Sequence, residues 1–188
     1  VRKREKGIIY SVSSWGGYFY IHTNKGAEDF KIERSKDIEA SKWEVFIPAK
    51  NETMIGGLTF LKNWIIRSEL NNALDKIFVR DINSNKEEEL VFTDEEVYDA
   101  SISHTQRDRN TDLIYISYST PKTQARTYLY NLKTKEKKLV KEQIIPSGHD
   151  PKNYIVQRVE CSSDDGRKVP LTITRHKDTP LDGSANLL

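Results

Sequence analysis

The residues that could carry out chemistry are few and widely spaced in this sequence. It contains no G-x-S-x-G nucleophile elbow, no phosphate-binding P-loop, no G-x-G-x-x-G fingerprint and no H-E-x-x-H zinc motif. The segment Ser147-Gly148-His149-Asp150 holds the residue types of a hydrolytic triad, but a triad is assembled by the fold and not by neighbours in sequence. The four histidines are scattered: His22, His104, His149 and His176. We therefore assign no catalytic residue, no cofactor and no metal site to this chain.

Two of these residues have a simpler structural interpretation. His22 lies in a run of aromatic residues, which is typical of a strand face and not of a general base. Cys161 is the single cysteine, and because no neighbour in the sequence would activate it, we expect a buried structural thiol. One cysteine also excludes a disulfide within the chain and fits a reducing compartment, so a cytoplasmic location is predicted.

Charged residues form two runs and a basic stretch. Glu87–Glu89 and Asp94–Glu96 could steer a cationic substrate, but we interpret them as solvated turns flanking one strand. The basic stretch is typical of a turn followed by an edge strand, where lysine prevents pairing between sheets. Its members are Lys133, Lys135, Lys137, Lys138 and Lys141. Too few aromatic residues accompany it to form a base-stacking surface.

Composition narrows the class of protein further. The chain has 188 residues, with 30 Lys and Arg against 28 Asp and Glu, so its formal net charge is only +2. This balance gives no cationic footprint for nucleic acid. No apolar run approaches about 18 residues, so no membrane-spanning segment is predicted. Frequent aromatic and β-branched residues indicate a folded chain.

The elements that must position any site are short strands. Apolar and polar residues alternate with period two, as in Trp43–Ile47 and Val169–Ile173, which is the pattern of strands with one buried face. Gly16-Gly17 separates two such runs and predicts a two-residue hairpin turn, because glycine adopts positive φ at little cost. Asn24-Lys25-Gly26 and Asn83–Lys86 are further predicted turns.

These runs form a weak internal repeat at intervals of about 45 to 50 residues. Three equivalent strands are each followed by an outer strand: Phe30–Arg34 by Trp43–Ile47, Lys76–Ile82 by Glu89–Phe92, and Thr127–Leu132 by Lys138–Val140. Four antiparallel strands per repeat is typical of a β-propeller blade. A single blade can bury its faces only by packing against a neighbouring blade. We predict an all-β fold with about three four-stranded blades of a partial β-propeller. A generic antiparallel meander is the alternative.

The last part of the chain departs from the repeat. Tyr154–Glu160 and Lys168–Arg175 read as two strands joined by a turn at Ser162–Gly166. Turn-forming residues just before them indicate a domain boundary near residue 152: Pro146, Gly148 and Pro151. The chain starts at Val1 and stops at Leu188 within an apolar run, so we expect a piece of a longer protein.

Residues along nearly the full length resemble one family. They are Tyr10-Ser11-Val12, Phe19–Asn24, Asp29–Ile32, Trp43-Glu44, Ile47-Pro48-Ala49, Tyr118–Pro121, Asp164-Asp165-Gly166, Val169-Pro170-Leu171 and Asn186-Leu187-Leu188. No single motif is decisive, but the ordered series resembles the middle of the oligopeptidase B (protease II) branch of the prolyl oligopeptidase family of serine peptidases.

The resemblance implies a propeller that caps an α/β-hydrolase domain. Residues 1–152 would be the C-terminal blades, and residues 153–188 the crossing into the peptidase domain and its first strands, truncated. The family's nucleophile, acid and base would all lie beyond Leu188, so the chain alone is expected to be inactive. The intact protein would hydrolyse short peptides after Lys or Arg, and the propeller would restrict access to the active site.

Partners follow from the same resemblance. They would be a peptide substrate and the rest of the same chain, namely the hydrolase domain and the missing blades. Three blades leave open strand edges, so the fragment is also expected to self-associate. A binding module with no enzymatic role, presenting its loops to a protein or peptide, is the alternative function, since propellers host many functions.

Overall fold

Alternating residues build a succession of β-strands in the computed structural model, which describes residues 3–39, 42–104 and 109–186. Among these residues, twelve strands form three four-stranded antiparallel sheets, and two more form a hairpin. Within the described residues the helical element is a single short 3-10 turn, Pro151–Asn153, and no helix is long and apolar enough to cross a membrane. The predicted all-β fold with three four-stranded units is confirmed.

Sheet 1 follows the chain order from inner to outer strand. Its strands are β1 (Tyr10–Trp15), β2 (Tyr18–Thr23), β3 (Lys31–Ser35) and β4 (Glu44–Ile47). The predicted glycine turn joins β1 to β2, and Gly16 and Gly17 have φ values of 56° and 77°. Both angles lie in the left-handed region, where only glycine is unstrained, so this turn fixes the β1–β2 register.

Sheet 2 has the same strand order. Its strands are β5 (Thr53–Leu61), β6 (Trp64–Asn71), β7 (Leu74–Asp81) and β8 (Glu87–Glu89). The outer strand predicted at Glu89–Phe92 lies earlier, at Glu87–Glu89, and the buried apolar residues Leu90 and Phe92 follow it. The β6–β7 turn was not predicted, since Asn72 and Ala73 adopt positive φ without any glycine.

Sheet 3 repeats the arrangement once more. Its strands are β9 (Asp99–His104), β10 (Leu113–Thr120), β11 (Thr123–Asn131) and β12 (Lys137–Glu142). Every residue of β12 is exposed and, within the described part of the chain, the strand pairs with β11 alone, so the lysine-rich edge strand predicted here is confirmed. Lysine side chains along such an edge discourage pairing with another sheet.

The final hairpin pairs β13 (Tyr154–Ser162) with β14 (Lys168–His176) through nine residue pairs. Its strands and turn agree with the sequence pattern, but the predicted buried face is wrong. Val169, Leu171 and Ile173 are each between 41% and 43% exposed, because nothing in the chain packs over that side of the ribbon among the described residues. The assignment of this hairpin to a hydrolase domain, and the boundary near residue 152, stay predictions.

The chain divides into two compact units, each with its own core. The first holds sheets 1 and 2 with a short segment ending at Asp112; the second holds sheet 3 and the hairpin. In the first unit one buried cluster draws residues from both sheets: Tyr20, Ile32, Ile47, Ile55, Phe60 and Ile65. Stacking of the two sheets therefore buries what one sheet would expose, as the repeat predicts. In the second, Ile114, Ile116 and Leu132 are fully buried.

Candidate binding pocket and the ion pairs that frame it

Two arginines hold equivalent positions in sheets 1 and 2. Arg34 is paired across the outer strand with Glu44, and Arg80 with Glu87, at the same place in each register. Arg34 Nε donates to Glu44 Oε1 at 2.5 Å, and Arg80 Nε donates to Glu87 Oε2 at 3.0 Å. The repeat thus places two guanidinium groups at one end of the first unit.

One aromatic ring lies against both guanidinium groups. The Phe46 ring centroid is 4.9 Å from Arg34 Cζ and 4.8 Å from Arg80 Cζ. Arg34 Cζ is also 4.7 Å from the ring centroid of Tyr18. Such contacts hold the planar cations over ring faces while their N–H groups stay directed outward.

A cavity of about 450 Å³ opens at this place. We call it the aromatic–basic pocket and define it by Trp15, Tyr18, Tyr20, Arg34, Phe46 and Arg80. Lys62 and Ile65 also line it, and none of the described lining residues is acidic. The pocket therefore combines an apolar wall with three cations.

Tyr20 forms part of the pocket floor. Burial raises the pKa of Tyr20, although the positive charges of Arg34 and Arg80 and a hydrogen bond with Arg34 act in the opposite direction. Because the net shift is upward, the phenol stays neutral at physiological pH. Its ring packs at 5.2 Å from Phe46 and 4.8 Å from Phe60, which ties the pocket floor to the core.

Sheet 2 carries a buried ion cluster next to Arg80. Arg67 and Glu69, whose side chains are each 3% exposed, are joined by Arg67 Nε and Glu69 Oε1 at 2.8 Å. Lys50 Nζ reaches the same carboxylate at 2.7 Å. Arg67 also binds Glu87 with both terminal nitrogens, at 2.9 and 3.0 Å. Glu87 is therefore shared between Arg67 and Arg80, and the cluster has three cations and two carboxylates.

The position of Glu87 corrects the expectation that the acidic run Glu87–Glu89 is a solvated turn. Burial by itself raises the pKa of Glu87, but hydrogen bonds and charge from Arg67 and Arg80 outweigh it and hold the pKa below its ordinary value. Glu87–Glu89 is not a solvated turn, since it forms β8 and neutralises a buried cation. Asp94–Glu96 lies outside the strands, as expected.

The histidines do not form a catalytic set in the part of the chain that the structure describes. His22 lies on β2 with Nε2 2.6 Å from the carbonyl oxygen of Ile55, so its assignment to a strand face is confirmed. His149 Nε2 is 2.7 Å from the Lys122 carbonyl oxygen, and Asp150 instead accepts from the Lys152 amide. The side chain of His104 lies outside the described residues.

Two further assignments concern His176 and Cys161. His176 Nδ1 lies 3.5 Å from Asp178 Oδ2, and its ring meets Tyr154 edge-on. The buried thiol predicted for Cys161 is wrong: Cys161 is exposed, because it shares the uncovered hairpin face with its pairing partner Val169. Across residues 3–39, 42–104 and 109–186, no cluster of three His, Cys, Asp or Glu could hold a metal ion.

Sequence reasoning missed Arg67 and Glu69, although a signal was present. Ile65, Arg67 and Glu69 fall on one face of β6 by period two, so a cation and an anion are neighbours on that face. A charged pair at alternate positions of a central strand indicates a buried ion pair, because an unpaired charge there would be too costly.

Comparisons with known proteins agree with this architecture. Residues 1–143 match the family described as prolyl oligopeptidase, N-terminal beta-propeller domain. The chain is 30% identical to "Dipeptidyl aminopeptidase BI" of Pseudoxanthomonas mexicana over 98% of the chain and 26% of that protein. It is 26% identical to "Protease 2" of Moraxella lacunata over 100% of the chain and 27% of that protein.

A solved structure shares this fold along nearly the whole chain. Oligopeptidase B from Trypanosoma brucei, in a closed form with covalently bound antipain, superposes with a TM-score of 0.85 at 26% identity, covering 96% of this chain and 27% of that one. The chain therefore spans about a quarter of the length of the relatives it matches. The family match covers most of the chain, and the chain belongs to the prolyl oligopeptidase N-terminal β-propeller family.

Proposed function

We propose that this chain is the propeller portion of a serine oligopeptidase and leads into its hydrolase domain. The observation that carries the proposal is the family match over residues 1–143, which falls on three consecutive four-stranded sheets. Similarity to "Protease 2" and to oligopeptidase B supports the peptidase branch. The final hairpin, Tyr154–Ser162 with Lys168–His176, would then be the first structure of the hydrolase domain.

The chemistry of the proposed peptidase comes from outside these 188 residues. A serine would attack the peptide carbonyl, a histidine would act as general base, an aspartate would orient it, and backbone amides would stabilise the oxyanion. Within the described residues, His22 and His149 are held against backbone carbonyl oxygens, which leaves them poorly placed as bases. The chain's role would be to restrict access, so that a flexible peptide reaches the active site and a large folded protein does not.

We propose that cleavage follows Lys or Arg and that the protein is cytoplasmic. The first rests on the resemblance to oligopeptidase B, and the second on the single cysteine, which fits a reducing compartment. Because the name "Dipeptidyl aminopeptidase BI" describes another specificity among the relatives, a test of specificity needs substrates for both modes of cleavage.

The specificity is tested with the longer protein that contains this chain. Fluorogenic amides ending in Arg, Lys and Pro would be offered in blocked form, and an unblocked dipeptide amide would be added. Turnover of the blocked Arg and Lys amides, with none of the Pro amide, is expected. Preference for the Pro amide or for the unblocked dipeptide would overturn the Lys/Arg proposal, and no turnover of any amide would favour the binding module.

Two matched assays test the role of the chain. The 188-residue chain alone is expected to release no fluorophore above a buffer control, and turnover by it would refute the non-catalytic role. The longer protein should cleave a free peptide but not the same sequence held in a rigid loop of a folded protein. Equal cleavage of both would refute restricted access.

Self-association through the open edges is a separate proposal. Light scattering of the 188-residue chain should show an average mass that rises with concentration. A constant monomer mass across the series would refute the proposal.

A further inference from the structure

The charge around the aromatic–basic pocket is not balanced. Arg34 is matched by Glu44, but Arg80 shares Glu87 with the buried Arg67. Arg67 binds both oxygens of Glu87 and Arg80 binds Oε2 as well, so one negative charge is shared by two guanidinium groups. Lys62 adds a further exposed cation at the pocket rim. An anion in the pocket would relieve this excess.

The arrangement of donors suits a carboxylate. Arg34 engages Glu44 through Nε, and Arg80 engages Glu87 through Nε and Nη2. Both guanidinium groups lie over the Phe46 ring, which restricts their movement. Guanidinium groups bind carboxylates with parallel N–H donors, and a stacked guanidinium loses little further freedom on binding.

The rest of the pocket suits a ring or a large apolar side chain. Tyr18, Tyr20, Phe46 and Ile65 provide the walls, and the volume of about 450 Å³ accommodates a group of amino-acid size. An inorganic anion would leave this apolar surface uncovered.

The same position in sheet 3 is different. The residues equivalent to Arg80 and Glu87 are Tyr130 and Lys137, by the register of β11 with β12. A pair of arginines backed by glutamates therefore occurs where sheet 1 meets sheet 2 and is not continued in sheet 3. A purely structural feature of every blade would recur there.

We propose that the aromatic–basic pocket binds the carboxylate of a peptide whose neighbouring side chain is aromatic or large and apolar, such as a C-terminal phenylalanine. Arg34 and Arg80 would bind the carboxylate, and the ring would lie against Tyr20 and Phe46. The site is independent of the proposed hydrolysis, so it is tested on the 188-residue chain without any turnover assay.

Three probes separate the contributions to binding. N-acetyl-L-phenylalanine carries both the carboxylate and the ring, N-acetyl-L-phenylalaninamide lacks the charge, and inorganic phosphate lacks the ring. Calorimetry at pH 7 and low salt should show binding of the acid, with the amide and phosphate each at least about tenfold weaker. A tenfold loss corresponds to about 1.4 kcal/mol.

Matched variants locate the site. Arg34→Gln should weaken binding of the acid by about tenfold, and Arg34→Lys should weaken it less because the charge is kept. Arg126→Gln is the control, since Arg126 lies on β11 and pairs with Glu142 on the outer strand at 2.6 Å, as Arg34 does with Glu44. The affinity of the Arg126→Gln variant for the acid should stay within about twofold of that of the parent chain. Circular dichroism confirms that each variant is folded.

Each other outcome overturns the proposal. Equal binding of the acid and the amide would show that the carboxylate is not recognised. Binding of phosphate as tight as that of the acid would show that the pocket binds anions without recognising the ring. No binding of any probe, or equal loss in Arg34→Gln and Arg126→Gln, would exclude this pocket as the site.

Discussion

Sheets 2 and 3 place very different residues at the same buried positions. By register, Arg67 and Glu69 on β6 correspond to Ile116 and Tyr118 on β10. The equivalence is anchored by the turn after the third strand, where Asp81 in one sheet and Asn131 in the other each accept two backbone amides. All four β6 and β10 residues are buried, yet one pair is ionic and the other carries an apolar and a phenol side chain.

The outer strands explain how each sheet tolerates its own pair of buried residues. In sheet 2, Glu87 reaches in to the Arg67 guanidinium, whereas the equivalent Lys137 of sheet 3 has its Nζ 5.1 Å from the ring centroid of Tyr128. Register thus decides which positions are buried, and the neighbouring strand decides whether a charge can be buried there. Removing a buried ion pair from water costs free energy that the attraction between its partners must offset, so the pair is not by itself a source of net stability.

The largest expected effect comes from breaking the buried ion pair of sheet 2. Arg67→Ala would leave Glu69 buried with Lys50 as its one remaining partner among the described residues and should destabilise the first unit by about 3–5 kcal/mol. Urea unfolding followed by circular dichroism measures this loss. The double variant Arg67→Ile with Glu69→Tyr transfers the sheet 3 residues into sheet 2 and should recover most of the stability. A double variant no more stable than Arg67→Ala would contradict the equivalence.

A second prediction concerns the inner strands. β9 pairs with β10 in unbroken register, whereas β5 bulges against β6 between Ile55 and Leu58. A Cβ on Gly56 would overlap the Ser68 hydroxyl and lie 2.8 Å from its carbonyl oxygen, but a Cβ on Gly57 would meet nothing within 4 Å. Gly56→Ala should therefore cost about 1–3 kcal/mol in thermal or urea unfolding, and Gly57→Ala should be close to neutral. Equal effects of the two substitutions would exclude a close approach at the bulge.

The third prediction is that stability depends on pH through Glu87 in sheet 2 and not through the equivalent Lys137 in sheet 3. The pKa of Glu87 is held below its ordinary value of 4.5, so its stabilising contribution is complete above that value and is lost as the pH falls through the folded-state pKa. Between pH 6 and pH 3 the urea midpoint of the parent chain should fall more steeply than that of Glu87→Gln. Lys137→Gln is the control at the equivalent position and should follow the parent. Parallel curves for parent and Glu87→Gln would refute this role.

The smallest expected effect lies on the surface of sheet 3. Arg126 and Glu142 are joined at 2.6 Å but are 30% and 35% exposed, so solvent and salt screen the pair. Glu142→Gln should change stability by less than about 1 kcal/mol, and the change should shrink further in 0.5 M salt. A loss approaching that of Arg67→Ala would show that exposure does not set the difference between these ion pairs.

The parts of the fold that depend on local pattern could be predicted from the sequence. Period-two alternation located the strands, the interval of about 45 to 50 residues gave the blades, and Gly16-Gly17 gave a turn whose angles only glycine adopts easily. The β6–β7 turn could not be predicted, because Asn72 and Ala73 take positive φ under the constraint of the paired strands.

The pocket was less accessible to sequence reasoning. Arg34 and Arg80 are separated along the chain and converge on Phe46 through sheet stacking, which no local pattern encodes. Alternation also misled at the hairpin, since it identifies which side chains share a face but not whether another segment covers that face. Val169 and Cys161 show this limit, being on one face and both exposed.

The exposed thiol of Cys161 has a practical consequence for any study of association. As the one sulfhydryl of the chain, it can join two copies covalently under air, producing a dimer that owes nothing to strand edges. Mass measurements therefore need a reductant or a Cys161→Ser variant. The same thiol offers a unique attachment point for a fluorophore on the hairpin.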